Sequence, residues 1–593
     1  SIVCKDSDPA SIRDILDRRD AISGDMTGIA LDSYFDKKTA FEFNLSAAGQ
    51  KMDLKHLGDY QWDFNWDAVW VGASAKNDSG WVAEMRIPFS QLRYAAEAEH
   101  TWGMHVWRWI DRKKEEDQWQ YIPLEAPAMV YLFGELKGLK DIRDSRQVEF
   151  LPYALTSFQA GVDTKPDPFK GNAGINAKIG IRSDYTLDLA VNPDFGQVEA
   201  DPAVLNLSSF ETFYEEKRPF FLEGNDIFDF RFGDDIPYYS RRIGSAPDLS
   251  GYIRPSELSE IPDRTTILSA AKFTGKSKKG LSVGLVNGLT AQAFGLETTE
   301  TSQEKQTEVA PLSNYIASRI KQEFKNGNSS VGAFFSLVNR FSDGPVTSGI
   351  LPRQAYTGGI DLLHHWKNRN YFVEFKTIAS HLHGSQEAIL LRQLSHNHRY
   401  QRPDAAHLQV DTTRTRLSGN GGVIRAGKKG GKWNFAAEGH YRSPGLNLND
   451  MGYIGQSDYT GERLEVSYDM NEPTKKIRNY TIEIFQEGMW SFGGERNMNM
   501  AGADFGISGI KLWSLAMNFR YNFSSLDPRE LRGGPSLMND PFYLLGISIG
   551  SNTAKDLYGR AGFYHNGSST DHFNHNILDL RLTWLPVRQA RLS

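Results

Sequence analysis

The chain has 593 residues, 40% hydrophobic and 24% charged, with a mean hydropathy of −0.48 and no run of eighteen apolar residues that could cross a bilayer as a helix. Sixty-seven Lys and Arg against 73 Asp and Glu leave a net charge of −6, and no basic stripe is present, so nucleic acid is not an expected partner. The single Cys4 excludes an internal disulfide framework, and Ser1 to Arg19 has no apolar leader segment, which predicts a chain processed or incomplete at its start.

The first 140 residues hold eight of the thirteen tryptophans, all between Trp62 and Trp119. Strand-like stretches at Ala68 to Ala75, Gly80 to Pro88 and Thr101 to Asp111 are separated by turn signals such as Asn77 to Gly80. Residues 1–140 are therefore expected to form an antiparallel β-sandwich, and Asp141 to Arg146 a charged connection to the second, longer region.

Residues 146–593 read as a large antiparallel transmembrane β-barrel. From Trp513 to Phe523 the odd positions are apolar and Ser514, Asn518, Arg520 and Asn522 alternate with them, giving one oily and one wet face. Segments of about ten residues with this period recur to the end, a length that crosses a bilayer at a tilt. Short reversals, such as Ser183 and Asp184, Gly275 to Gly280, Asn326 to Asn328, Lys367 to Asn370 and Gly427 to Gly431, alternate with long links, such as Ala291 to Pro311, His383 to Val410 and Ser524 to Pro541. About eighteen strands result, the last from Asn576 to Leu585 with Ile577, Leu578, Leu580, Leu582 and Trp584 as its apolar set. The chain stops at Ser593 without a terminal aromatic, which predicts one further hairpin. A propeller would show a blade period near forty residues, and none is visible. Short periplasmic turns and long external loops are the rule in outer-membrane barrels, so the sandwich is expected on the periplasmic side.

One link stands apart. Residues 192–263 are too long for an idle loop, and from Asp194 to Asp235 they hold eleven Asp or Glu and eight Phe. This predicts a folded insert that either enters and constricts the lumen or caps the rim. Asp194, Glu199, Asp201, Glu215, Glu216, Arg218, Phe220 and Phe221 are its candidate functional residues, the acids facing water or a cation.

Leu31 to Phe43, Trp66-Asp-Ala-Val-Trp70 and Gly80 to Ser90 resemble the family 9-like carbohydrate-binding domain of bacterial surface proteins. Asn192 to Pro202, Glu215 to Gly224, Tyr239 to Gly244 and Ser443 to Gly452 are similar to the outer-membrane barrel domain of unknown function that follows that module in Gram-negative bacteria. The resemblance implies an outer-membrane protein with a sugar-module-like periplasmic domain, and no established activity for the barrel. Members usually carry opening strands before the equivalent of Ser1 and run beyond that of Ser593.

Sugar rings pack their C–H faces on indoles while hydroxyls bond to carboxylates, so Trp62, Trp66 and Trp119 with Asp63 and Asp67 are the candidate glycan site. The alternative is that these indoles fill a core, as Trp81, Trp102 and Trp107 are expected to do. Glycoside hydrolysis needs two carboxylates across a cleft, and the spacing of Glu84, Glu115, Glu116 and Asp117 singles out no such pair. No nucleophile elbow, metalloprotease helix or phosphate loop is present. His364 with His365 and His381 with His383 read as polar rim residues. No cofactor is indicated, although Asp32, Asp36, Asp53, Asp59 and Asp63 are hard oxygen donors of the kind calcium takes. The expected function is binding and passage of a glycan or similar polar solute. A membrane-anchored glycoside hydrolase is the alternative, and a plugged scaffold docking another envelope protein the third.

Overall fold

A computed structural model of the chain describes residues 1–21, 23–95, 97–142, 148–158, 169–182, 184–193, 204–206, 211–248, 258–259, 261–298, 304–342, 344–568, 570 and 573–592. Near the N-terminus lie two antiparallel sheets. One orders Ile2–Lys5, Gly80–Arg86 and Val71–Asn77; the other orders Gly134–Lys140, Glu99–Ile110, Met26–Asp32, Ala40–Ser46, Lys51–Gly58 and Gln61–Asp63, with Glu115–Gln118 paired to Glu99–Ile110. Phe43 and Leu45 of the second sheet and Trp81 and Ala83 of the first share one buried core with Trp70 and Trp102. Trp107 is only half-buried and donates from Nε1 to Glu42 at 3.0 Å. Ile122, Val130 and Phe133 cover the outer face of the second sheet, which is thereby buried on both sides.

From Val148 to Leu592, nineteen strands form one antiparallel sheet in which each strand pairs with the next of the set along the chain. Outward positions form an exposed apolar belt: Trp513, Phe519 and Leu580 are 56%, 45% and 69% exposed. Among the described residues no helix is long and apolar enough to cross a membrane. The eighteenth strand, Asn574–Val587, covers the stretch expected to be last, and Ala590–Leu592 folds back on it. Its apolar set is corrected at one position. Leu578, Leu580, Leu582 and Trp584 share a face, whereas Ile577 has the opposite parity, with Asp579 and Arg581.

Short and long links alternate as the sequence indicates, with two exceptions on the long side. Ile477–Trp490 and Arg496–Gly509 are joined by residues 491–495 alone, closed by a bond from Ser491 N to Glu495 O of 2.8 Å. Leu557–Ser568 and Asn574–Val587 are separated by only five residues. The sandwich meets the barrel at the short-turn end. Arg369 donates to Asp59 at 2.8 Å, Arg13 to Asp556 at 3.0 Å, and Lys276 to Asp36 at 2.6 Å.

The insert lies against the inner wall. Phe221, Phe228, Phe230 and Phe232 are at most 4% exposed and share one core with Val286, Ala317, Phe334, Val338 and Ile378. Those wall residues alternate with exposed outward neighbours such as Leu285, Phe335 and Ile360, so the core is internal. Two glycines make the fit. A Cβ at Gly359 would stand 2.6 Å from the Phe230 ring, and one at Gly421 2.9 Å from Phe232.

Candidate functional site

The sandwich beneath, the insert above and the strand ends around them border a partly open cavity of about 700 Å³ at the short-turn end. Its floor is the segment around Tyr34 to Phe41 and Lys55 to Gln61, and its ceiling is Asp226 to Arg231. The wall runs through strands of both barrel halves, from Lys276 to Glu483. Eleven Lys or Arg and eight Asp or Glu line it, so a chain with net charge −6 surrounds a basic chamber.

Most of these charges are locked together. Asp59, on the turn after Lys51–Gly58, meets Arg369 at 2.8 Å, His365 Nε2 at 3.4 Å and Lys429. Burial works against its charge, but His365, Lys429 and Arg369 together hold its carboxyl well below the usual carboxylate range. Glu323 accepts from Lys38 at 2.9 Å and Lys276 at 2.6 Å, and Lys55 reaches Asp226 of the insert at 2.9 Å. The sandwich is thus tied to both barrel and insert by charge-assisted bonds.

Wall cations clasp the insert. Lys272, 2% exposed, donates to the carbonyls of Phe220 and Glu223, the latter at 2.7 Å, and lies 5.0 Å from the Phe220 ring. Arg442 bonds Asp235 at 2.5 Å and the carbonyl of Phe232, with its guanidinium 3.8 Å from that ring. None of these wall residues was singled out from sequence; their signal is a Lys or Arg at inward parity between apolar neighbours, as in Ala271-Lys272-Phe273.

The predicted insert residues divide. Asp194, Glu199 and Asp201 lie outside the described residues. Glu215 is exposed, and its carbonyl accepts from Arg241 at 2.7 Å. Glu216 does not face the lumen as a free acid: Arg218 Nε and Nη2 donate to it at 2.8 and 2.7 Å, and Ser240 at 2.5 Å. Arg218 also bonds the carbonyl of Ile243 at 2.7 Å and lies 4.3 Å from the Phe221 ring, so this pair builds the insert itself. Phe221 is buried and Phe220 packs against the same core.

The predicted glycan residues do not share one face. Trp66 turns into the sandwich core, its ring centroid 5.0 Å from Phe41 and 5.5 Å from Phe43. Trp62 and Trp119 are 42% and 55% exposed. Asp63 accepts the Asn65 amide at 3.0 Å, and Asp67 pairs with Arg19. The acids considered for calcium are dispersed: Asp32 and Asp36 cap one turn, Asp53 accepts from Ala68 and Trp70, and Asp59 is in the chamber. Among the described residues no three His, Cys, Asp or Glu are grouped to hold a metal. Glu84 is exposed on one sheet, and Glu115, Glu116 and Asp117 are exposed on the other. His365 is not a rim residue. It is buried and faces Asp59, while His364 on the other face pairs with Ser329 at 2.8 Å.

The family model of a domain of unknown function, DUF5916, matches residues 146–583. No curated protein matches the sequence. Among solved structures, the chain is similar to Pseudomonas aeruginosa OpdK with vanillate, at 9% identity over 94% of this chain and 96% of that one, with a TM-score of 0.24. It is also similar to the copper transporter OprC, at 8% identity over 95% and 79%, TM-score 0.32. A Pseudomonas aeruginosa FadL homologue matches at 10% identity over 59% and 84%, TM-score 0.16. Likenesses this slight carry no conclusion of their own.

Proposed function

The chain belongs to the DUF5916 family, and from that premise we propose that it is an outer-membrane barrel that binds and passes a polar solute, a glycan or similar molecule. The solute is held in the chamber between insert and sandwich. The short-turn end and the sandwich face the periplasm, as short turns do in outer-membrane barrels. The insert constricts the lumen, and the sandwich is the family 9-like carbohydrate-binding module, with Trp62 and Trp119 as its exposed stacking surfaces.

One observation carries this reading: a partly open cavity of about 700 Å³ lined by nineteen charged residues. A volume of this size suits a small polar solute. A scaffold has no use for a charged space of that size at the junction of three bodies. The test is conductance of the purified full chain in planar bilayers, with and without a panel of oligosaccharides. Current that at least one sugar blocks in a concentration-dependent way is expected. A Phe220→Gly, Phe221→Gly variant should conduct more, because the insert then seats less tightly. A bilayer that stays silent for both proteins, with no sugar bound in solution, would remove the solute reading.

A further inference from the structure

Lys321 is the one basic side chain lining the chamber that has no acid or carbonyl partner among the described residues. Each of the others is engaged, from Lys38 on Glu323 to Lys428 on the carbonyls of Gly430 and Trp433. Lys321 lies on Leu312–Phe324 at the inward parity of Arg319, and directly across from Gly332 in the register. Gly332 has no side chain to fill that position, and the Arg319 guanidinium and Asp361 carboxylate close over it. Ser330, two residues along the same face, is a buried residue of the cavity lining, and its Oγ, covered behind the cavity surface, bonds to nothing among the described residues. Nε of Arg319, 2% exposed, is likewise without an acceptor. Unused donors thus gather on one wall, Lys321 at the cavity surface with the Ser330 hydroxyl and an Arg319 N–H buried behind it, beside the Asp361 carboxylate that Arg319 already pairs with.

The opposite side differs. Glu483 on Ile477–Trp490 has no hydrogen-bond or ion-pair partner among the described residues, and Ser467 and Asn434 line the cavity near it. A carboxylate there repels a second anion and accepts from hydroxyls. Phe41 and Phe372 supply apolar lining.

We infer that the chamber takes a carboxylate-bearing polyol of the uronic-acid type, its acid group on Lys321 and its hydroxyls toward Glu483. This rests on the chamber being the solute site. A lone phosphate would satisfy Lys321 and leave Glu483 unused; a neutral sugar would leave the ammonium unpaired, which costs affinity in a partly enclosed space.

The experiment is calorimetric titration of the full chain in detergent with a galacturonate trisaccharide, the matching neutral galactose trisaccharide and inorganic phosphate. The wild type should bind the uronide at least tenfold more tightly than the neutral sugar, and phosphate should compete weakly. Lys321→Gln should lose that preference while still binding the neutral sugar, and Lys321→Arg, which keeps the charge in the wall, should retain it. Glu483→Gln should weaken both sugars and leave phosphate no weaker than before. Equal binding of both sugars by the wild type, or a preference that survives Lys321→Gln, overturns the inference and leaves the solute reading standing. Phosphate competing as well as the uronide overturns the polyol assignment. If neither sugar binds and none blocks conductance, the chamber reading itself is what has failed.

Discussion

The barrel has two unlike halves. From Ile267 to Arg442 many inward positions are buried, and many of these are small or apolar: Val286, Ala317, Val338, Ala355 and Ile378 stand against the insert. From Tyr459 to Val587 the inward positions are mostly half-exposed, and ion pairs such as Arg463 with Glu487 and Arg520 with Asp504 line them. Among the described residues none beyond Ile454 belongs to the internal core. A barrel lumen is therefore not polar by rule. Where the chain supplies its own filler, the inner face takes the composition of a protein core; where it does not, it keeps charged groups that water can reach.

Matched substitutions sharpen this contrast. Arg442→Met should be the most damaging, because it strands Asp235, itself 6% exposed, at a cost of about 3–5 kcal/mol. The equivalent Arg520→Met breaks a pair that is 25% and 37% exposed and should cost about 0–1 kcal/mol. Thermal unfolding of the two variants in detergent measures the gap; equal losses would erase the distinction between the halves. Next, Gly359→Leu drives a side chain into Phe230 and should cost about 1–3 kcal/mol, with the insert displaced and more readily cut by protease. Gly506→Leu on the other half meets nothing within 4 Å, so stability should stay within about 0.5 kcal/mol while conductance falls.

The sandwich contacts should follow the same division. Asp59 binds turns of the filled half, and Asp59→Asn should cost about 1–3 kcal/mol of sandwich docking by leaving Arg369 and Lys429 without their acid. Since that carboxyl ionises well below its usual range when folded, its contribution is fully present above about pH 4 and is lost only as the pH falls further toward the folded value. Tryptophan fluorescence followed from pH 7 to pH 3 should therefore show wild-type docking intact until below about pH 4, and a flatter, weaker curve for Asp59→Asn. Asp556→Asn is the smallest effect: its side chain is 78% exposed beneath the open half, and the change should be hard to distinguish from wild type.

Much of this architecture is written locally. The period of two that sends Met517 and Phe519 outward is a property of neighbouring residues, and Gly- and Asn-rich reversals such as Asn326 to Asn328 need only a tight turn to be recognised. The insert was visible as an excess of Phe over a long link, but its position was not, because lumen and rim offer a phenylalanine ring the same relief from water. Trp62 and Trp66 show the same limit at smaller scale: four residues apart in one loop-like stretch, they differ only in whether Phe41 and Phe43 lie beneath them.

Sequence alone determined most of the strands, their alternation of oily and wet faces and, with two exceptions, the order of short and long links, since each depends on contacts between residues close in the chain. Tertiary structure decided what fills the lumen and what the chamber is made of. Asp59, Lys321, Asp226 and Glu483 come from segments far apart in the chain, and only when sandwich, insert and wall meet do their charges share one partly enclosed space.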